Sequence, residues 1–141
     1  MTKYLLIAVL LSSFAALPLR ADDTGDGKLG IELNTADTQD TSCTLTFLVD
    51  NGLPHDLDKL VLEAVIFTRD GQVERLTLFD FGELPAGRSR VRQFVLHDAP
   101  CASLGRVLFN SASTCEGAGL SIDSCMKNIA PSSRIGIEVL G

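Results

Sequence analysis

The sequence predicts an all-β fold: an antiparallel sandwich of about seven strands over residues 29–141, with an irregular segment before the last strand. Apolar residues recur with a period of two rather than 3.6, the spacing of half-buried strands. Short runs rich in Val, Ile, Thr and Phe are divided by Gly, Pro, Asn and Asp at intervals of about 10–15 residues, the rhythm of a two-sheet sandwich. The four cysteines add a third clue, taken up below.

The chain opens with features of a different kind. Lys3 precedes an unbroken apolar run, Tyr4 to Leu11, which Ser12 and Ser13 soften and Pro18 breaks before Leu19-Arg20-Ala21. A basic start, a short apolar core and a small residue at its end describe a secretory signal peptide. Residues 1–21 are therefore read as a cleaved leader, with Ala21 as the cleavage residue and Ala15 and Ala16 as alternatives. The run falls short of the ~20 apolar residues a membrane span requires. No twin arginine precedes it, so the general export route is implied, and the absence of cysteine before Cys43 argues against a lipid anchor.

Residues 22–28 (DDTGDGK in 22–28) are polar and read as a flexible arm. Their likeness to a calcium loop fails at the twelfth position, where Leu33 stands instead of a bidentate glutamate. Leu29 to Leu33 then alternates as a short strand, and Cys43, Leu45, Phe47 and Val49 form the buried side of the next, closed by Asp50-Asn51-Gly52. Leu60 to Thr68 is almost continuously apolar, as a central strand is. Asp70-Gly71 joins it to Val73–Phe81 in a hairpin. After the turn Leu84-Pro85-Ala86-Gly87 come strands over Arg88–Leu96 and Leu104–Phe109. Residues 110–133 carry little strand signal, and Asp123–Asn128 reads as one helical turn capped by Asp123. Arg134–Leu140 alternates again as the final strand.

The 141 residues carry 18 acidic and twelve basic side chains, a net charge of −6. Loss of Lys3 and Arg20 with the leader leaves 18 against ten, or −8. Such a balance disfavours nucleic acid and anionic lipid as partners. No segment after the leader is long and apolar enough to span a membrane as a helix. An even set of cysteines (Cys43, Cys101, Cys115, Cys125) in an exported chain predicts two disulfides, for which three connectivities exist. Separations of 58, 14 and 10 residues, with His55 and His97 away from ligand spacing, do not suit a zinc site.

The strand order resembles bacterial Ig-like domains, in particular small extracytoplasmic domains of the FxLYD type. The likeness covers most of residues 29–112 and rests on Asp50-Asn51-Gly52 after a strand, the long strand through Phe67, and Leu84-Pro85-Ala86-Gly87 before a strand that ends in Phe94 and Leu96. The stretches LDKLVLEAVIF, RLTLFDF, LPAGRSRVRQF, LGRVLFN and TCEGAGL are also similar to a group of exported alphaproteobacterial proteins often labelled only by a Tat-pathway signal sequence. An Ig-like arrangement implies a pairing: the second and penultimate strands lie in opposite sheets with neighbouring ends, so Cys43 would join Cys101. Cys115 and Cys125 would then close the irregular segment. Neither resemblance supplies catalytic residues, and fold alone does not fix function.

Candidate chemistry is sparse. His55 and His97 each have an acidic neighbour, but no G-x-S-x-G nucleophile elbow occurs, and adjacent strand residues point to opposite faces. There is no C-x-x-C pair, no haem attachment motif, no Met/His cluster for copper and no phosphate-binding glycine loop. No catalytic residue, metal site or cofactor is assigned. One surface pattern is uneven: Arg88, Arg90 and Arg92 alternate, which on a regular strand sets them on one face. Such arginines either pair with neighbours such as Glu74 or Asp80, guard an edge strand, or meet an anionic partner. These readings imply a periplasmic or secreted interaction module that docks on an envelope protein with an acidic surface. A small hydrolase or carbohydrate-active enzyme built on His55, His97 and acidic loop residues, and a structural envelope component, are the alternatives.

Overall fold

In the computed structural model, which describes residues 26–141, two four-stranded sheets pack face to face. The leader expected at 1–21 and residues 22–25 of the expected arm lie outside the described residues. The strands are β1 (Leu29–Gln39), β2 (Ser42–Asn51), β3 (Leu57–Thr68), β4 (Val73–Leu84), β5 (Ser89–Leu96), β6 (Leu104–Gly117), β7 (Ile129–Ser133) and β8 (Glu138–Leu140). A 3₁₀ turn at Cys101–Ser103 precedes β6, and helix α1 spans Ile122–Asn128. The first sheet runs β5-β2-β1-β7, the second β4-β3-β6-β8.

The alternation seen in the sequence becomes alternation of burial. Leu29, Ile31 and Leu33 of β1 and Cys43, Leu45, Phe47 and Val49 of β2 are fully buried. β3, central in its sheet, buries Leu60, Leu62, Ala64 and Ile66 inward while Val61 and Val65 are covered on its outer face, hence its near-continuous apolar run. At the centre Phe47 lies 5.8–6.0 Å from the rings of Phe79, Phe81, Phe94 and Phe109, drawing both sheets around one aromatic cluster.

The sandwich departs from the expected order in its last third. Four of the six strand pairs are antiparallel, but β1·β7 and β6·β8 are parallel. Parallel neighbours need a crossover, and residues 118–137 supply one, carrying the chain from β6 through α1 and β7 to β8. The segment expected to be irregular thus holds the end of β6, a helix and a strand. The final strand is confined to Glu138–Leu140. The helix is capped by Ser121 rather than Asp123: Ser124 N–H donates to Ser121 Oγ at 3.2 Å and Ser121 N–H to Ser124 Oγ at 2.8 Å. Asp123 sits in the first turn, where a carboxylate complements the helix dipole.

Disulfides join Cys43 to Cys101 and Cys115 to Cys125, with Cα separations of 4.8 and 6.6 Å. The first links the start of β2 in one sheet to the turn that enters β6 in the other. The second fastens α1 to the end of β6. The described end of the expected arm is tied down: Gly27 N–H donates to Gly52 O at 3.1 Å and Gly52 N–H to Lys28 O at 2.8 Å. A Cβ at Gly52 would lie 2.7 Å from that Lys28 oxygen, so the close approach requires glycine.

Candidate functional site

β4 and β5 end their respective sheets on the same side of the sandwich. The chain crosses between the sheets here through residues 85–88. That crossing is fixed by Asn51, the one polar residue fully buried among those described. Its Nδ2 donates to Leu84 O at 2.7 Å and to His55 O at 3.1 Å, and its Oδ1 accepts from Leu53 N–H at 3.0 Å. Gly87 N–H reaches Asn51 O at 2.8 Å and Ala86 N–H reaches Asp56 Oδ1 at 2.8 Å. The Asn51 side chain thereby ties the end of β4 to the turn before β3, while its main-chain carbonyl and Asp56 hold the entry of β5.

Along β5 the outward residues Ser89, Val91, Gln93 and Val95 are exposed, whereas Arg90, Arg92 and Phe94 are half-buried and Leu96 is buried. Arg90 and Arg92 therefore share the face that looks toward the other sheet; Arg88 is exposed in the preceding turn. Phe94 closes the edge from within by stacking on Phe79 of β4, with centroids 4.2 Å apart. Arg92 closes it above: Nε donates to Phe81 O at 2.6 Å and Nη2 to Glu83 O at 3.0 Å. Both acceptors lie on the open side of β4, where no strand pairs with it, next to a bulge. Gly82 pairs with Leu60 and Asp80 with Val61, leaving Phe81 as an extra residue in β4. Gly82 takes the left-handed conformation this needs, with φ 65°.

The neighbours expected for these arginines are engaged elsewhere: Asp80 pairs with Lys59 and Glu74 with Arg75. The hydrogen bonds from Arg75 hold the Glu74 carboxyl below its usual range. Arg106–Glu138 and Arg134–Glu32 are the other ion pairs among the described residues, so Arg88, Arg90 and Arg92 have no carboxylate partner there. β5 itself contains no acidic residue.

A second surface lies on the outer face of the β4-β3-β6-β8 sheet. Leu76, Val65, Leu108 and Leu140 occupy aligned positions across its four strands, and Leu76 and Leu78 stand about 60% exposed. His55 and His97 are exposed in turns, and neither imidazole makes a hydrogen bond within the protein among the described residues. No group of three or more His, Cys, Asp or Glu side chains there could hold a metal ion.

Sequence reasoning placed the arginines but missed what Arg92 contacts, because the acceptors are main-chain carbonyls of an edge strand in the other sheet, next to a bulge. A glycine inside a strand pattern is the local signal of such a bulge, and Gly82 supplies it. No protein-family model, curated protein or solved structure matches this chain.

Proposed function

We propose that the protein is an exported interaction module of the periplasm, which docks on an envelope protein through the arginine-bearing open edge of its sandwich. The observation that carries this reading is the charge contrast: in a chain of net charge −6, one edge strand has no acid, and its flanking Arg88 and half-buried Arg90 have no carboxylate partner among the described residues. Unpaired guanidinium groups are ready partners for carboxylates, which they bind by charge-assisted hydrogen bonds. Complementary charge chiefly governs encounter rate and salt sensitivity. The disulfides support an oxidising compartment. The leader-like residues 1–21 support export, and the likeness to exported alphaproteobacterial proteins fits the same compartment.

The test uses a tagged copy recovered from the periplasm, whose intact mass should begin at Asp22. Arg88→Gln/Arg90→Gln should weaken partner capture most at low ionic strength while leaving the fold intact. Capture that is equal for both proteins at every salt concentration would reject the reading.

A further inference from the structure

Four strands end the two sheets, and three of them are poor templates for another strand. β8 has three residues, and β7 has five, one of them Pro131. β4 is interrupted by register shifts, carries Glu74, Asp80 and Glu83, and has its Phe81 and Glu83 carbonyls occupied by Arg92. β5 differs in length, regularity and charge, although arginine side chains bond its Ser89 and Val91 carbonyls. Its eight residues pair with β2 in unbroken register from Ser89↔Asp50 to Leu96↔Cys43, without proline or glycine. A regular edge strand of this kind exposes a row of main-chain donors and acceptors.

The direction of those groups can be read from Arg92. Its Nη1 donates to Val91 O at 3.0 Å while the same guanidinium reaches β4 across the open edge. Val91 O therefore faces the edge, and by the two-residue period so do the main-chain groups of Ser89, Gln93 and Val95. Ser89 O accepts from Arg90 Nη1 at 3.1 Å. The Gln93 and Val95 carbonyls have no such partner among the described residues.

We propose that an extended acidic segment of a partner protein adds to the first sheet along β5, hydrogen-bonding to the outward main-chain groups of Gln93 and Val95, taking over the Ser89 and Val91 carbonyls from the arginine side chains, and setting its carboxylates against Arg88 and Arg90. This deepens the docking reading above and rests on it. Strand addition takes affinity from main-chain bonds and specificity from alternate side chains. Residues of the added strand on the outer face meet Val91 and Val95, which are 59% and 49% exposed, and so favour apolar or β-branched types. Residues on the other face lie beside Arg90, where a carboxylate replaces the weaker bond to Ser89 O. The recognised chemistry is thus a strand alternating acidic with β-branched residues. A second copy of this chain is a poor occupant: antiparallel pairing about Val91 would set Arg90 of each copy directly opposite Arg92 of the other, and pairing about Gln93 would leave the two Arg92 side chains as diagonal neighbours on one face, like charges that repel.

The experiment uses the disulfide-intact exported chain and an N-acetylated, C-amidated octapeptide alternating glutamate with threonine and valine. Its controls are the same peptide N-methylated at alternate amides and a version with lysine in place of glutamate. The peptide is expected to slow amide hydrogen exchange at Val91, Gln93 and Val95 at least tenfold. N-methylation should weaken binding tenfold or more, and Arg90→Gln should weaken it about fivefold at low salt. Equal, salt-sensitive binding of the methylated and unmethylated acidic peptides, with exchange at those amides unchanged, would overturn strand addition and leave acidic docking standing. Preference for the lysine peptide, or binding of neither acidic peptide, would overturn both.

Discussion

Arg92 and Asn51 show how single side chains hold the open edge. Arg92 satisfies two β4 carbonyls that no strand pairs on that side, whereas Arg90 donates only to the carbonyl beside it and Arg88 is exposed. The three alternating arginines are therefore unequal. Arg92→Gln is expected to cost about 1–2 kcal/mol, since hydrogen bonds from a charged group are lost at a half-exposed site. Arg88→Gln/Arg90→Gln should stay within about 0.5 kcal/mol. Urea unfolding of the two variants separates them, and equal midpoints would contradict the assigned role of Arg92. Asn51 is the sharper case because it is buried with both ends of its amide engaged. Asn51→Ala would leave the Leu53 N–H and the Leu84 and His55 carbonyls without their partner, at a cost of about 2–4 kcal/mol. Asn51→Asp should do no better, because a carboxylate cannot donate to two carbonyls and its charge is buried. Calorimetry of both variants checks this.

At the scale of elements, legibility followed the hydrophobic pattern. β2, the centre of β3, β4 up to Phe81 and β5 were readable because one face of each is buried in the common core. The second half of β1, Asn34 to Gln39, was not: its side chains are largely exposed, and it is a strand only because β2 pairs with it from Thr35↔Thr46 to Gln39↔Ser42. β7 escaped for a related reason, since Ile129-Ala130-Pro131-Ser132-Ser133 has no alternation and is strand through its parallel partner β1. Periodicity reports burial, whereas these segments are ordered by main-chain pairing. The disulfide pairing came from the fold resemblance, not from spacing. Loop-closure entropy ranks the two bonds: about 4 kcal/mol for the 58-residue separation and about 3 for the 10-residue one. Replacing Cys43 and Cys101 by Ala should lower the melting temperature more than replacing Cys115 and Cys125. The reverse order would show that α1 and β7 brace the sandwich more than the inter-sheet bond does.

For the whole molecule, two surface carboxylates give stability a dependence on pH. Hydrogen bonds from Asn34 and then Arg134 hold Glu32 below its ordinary value of 4.5, and those from Arg75 do the same for Glu74. A carboxyl with a depressed folded-state pKa contributes stability that is present above its unfolded value and lost as pH falls through the folded one. The melting temperature should therefore decline below about pH 4.5, and less steeply in high salt, where exposed ion pairs are screened. Thermal melts across that range at two ionic strengths measure the effect. The connectivity of the cysteines has a further consequence for biogenesis. The four cysteines are joined as two consecutive pairs, Cys43 to Cys101 and Cys115 to Cys125. For a polypeptide that emerges amino-terminus first, an oxidase acting on thiols in order of appearance produces the native bonds directly. Oxidation in that order would need no reshuffling step.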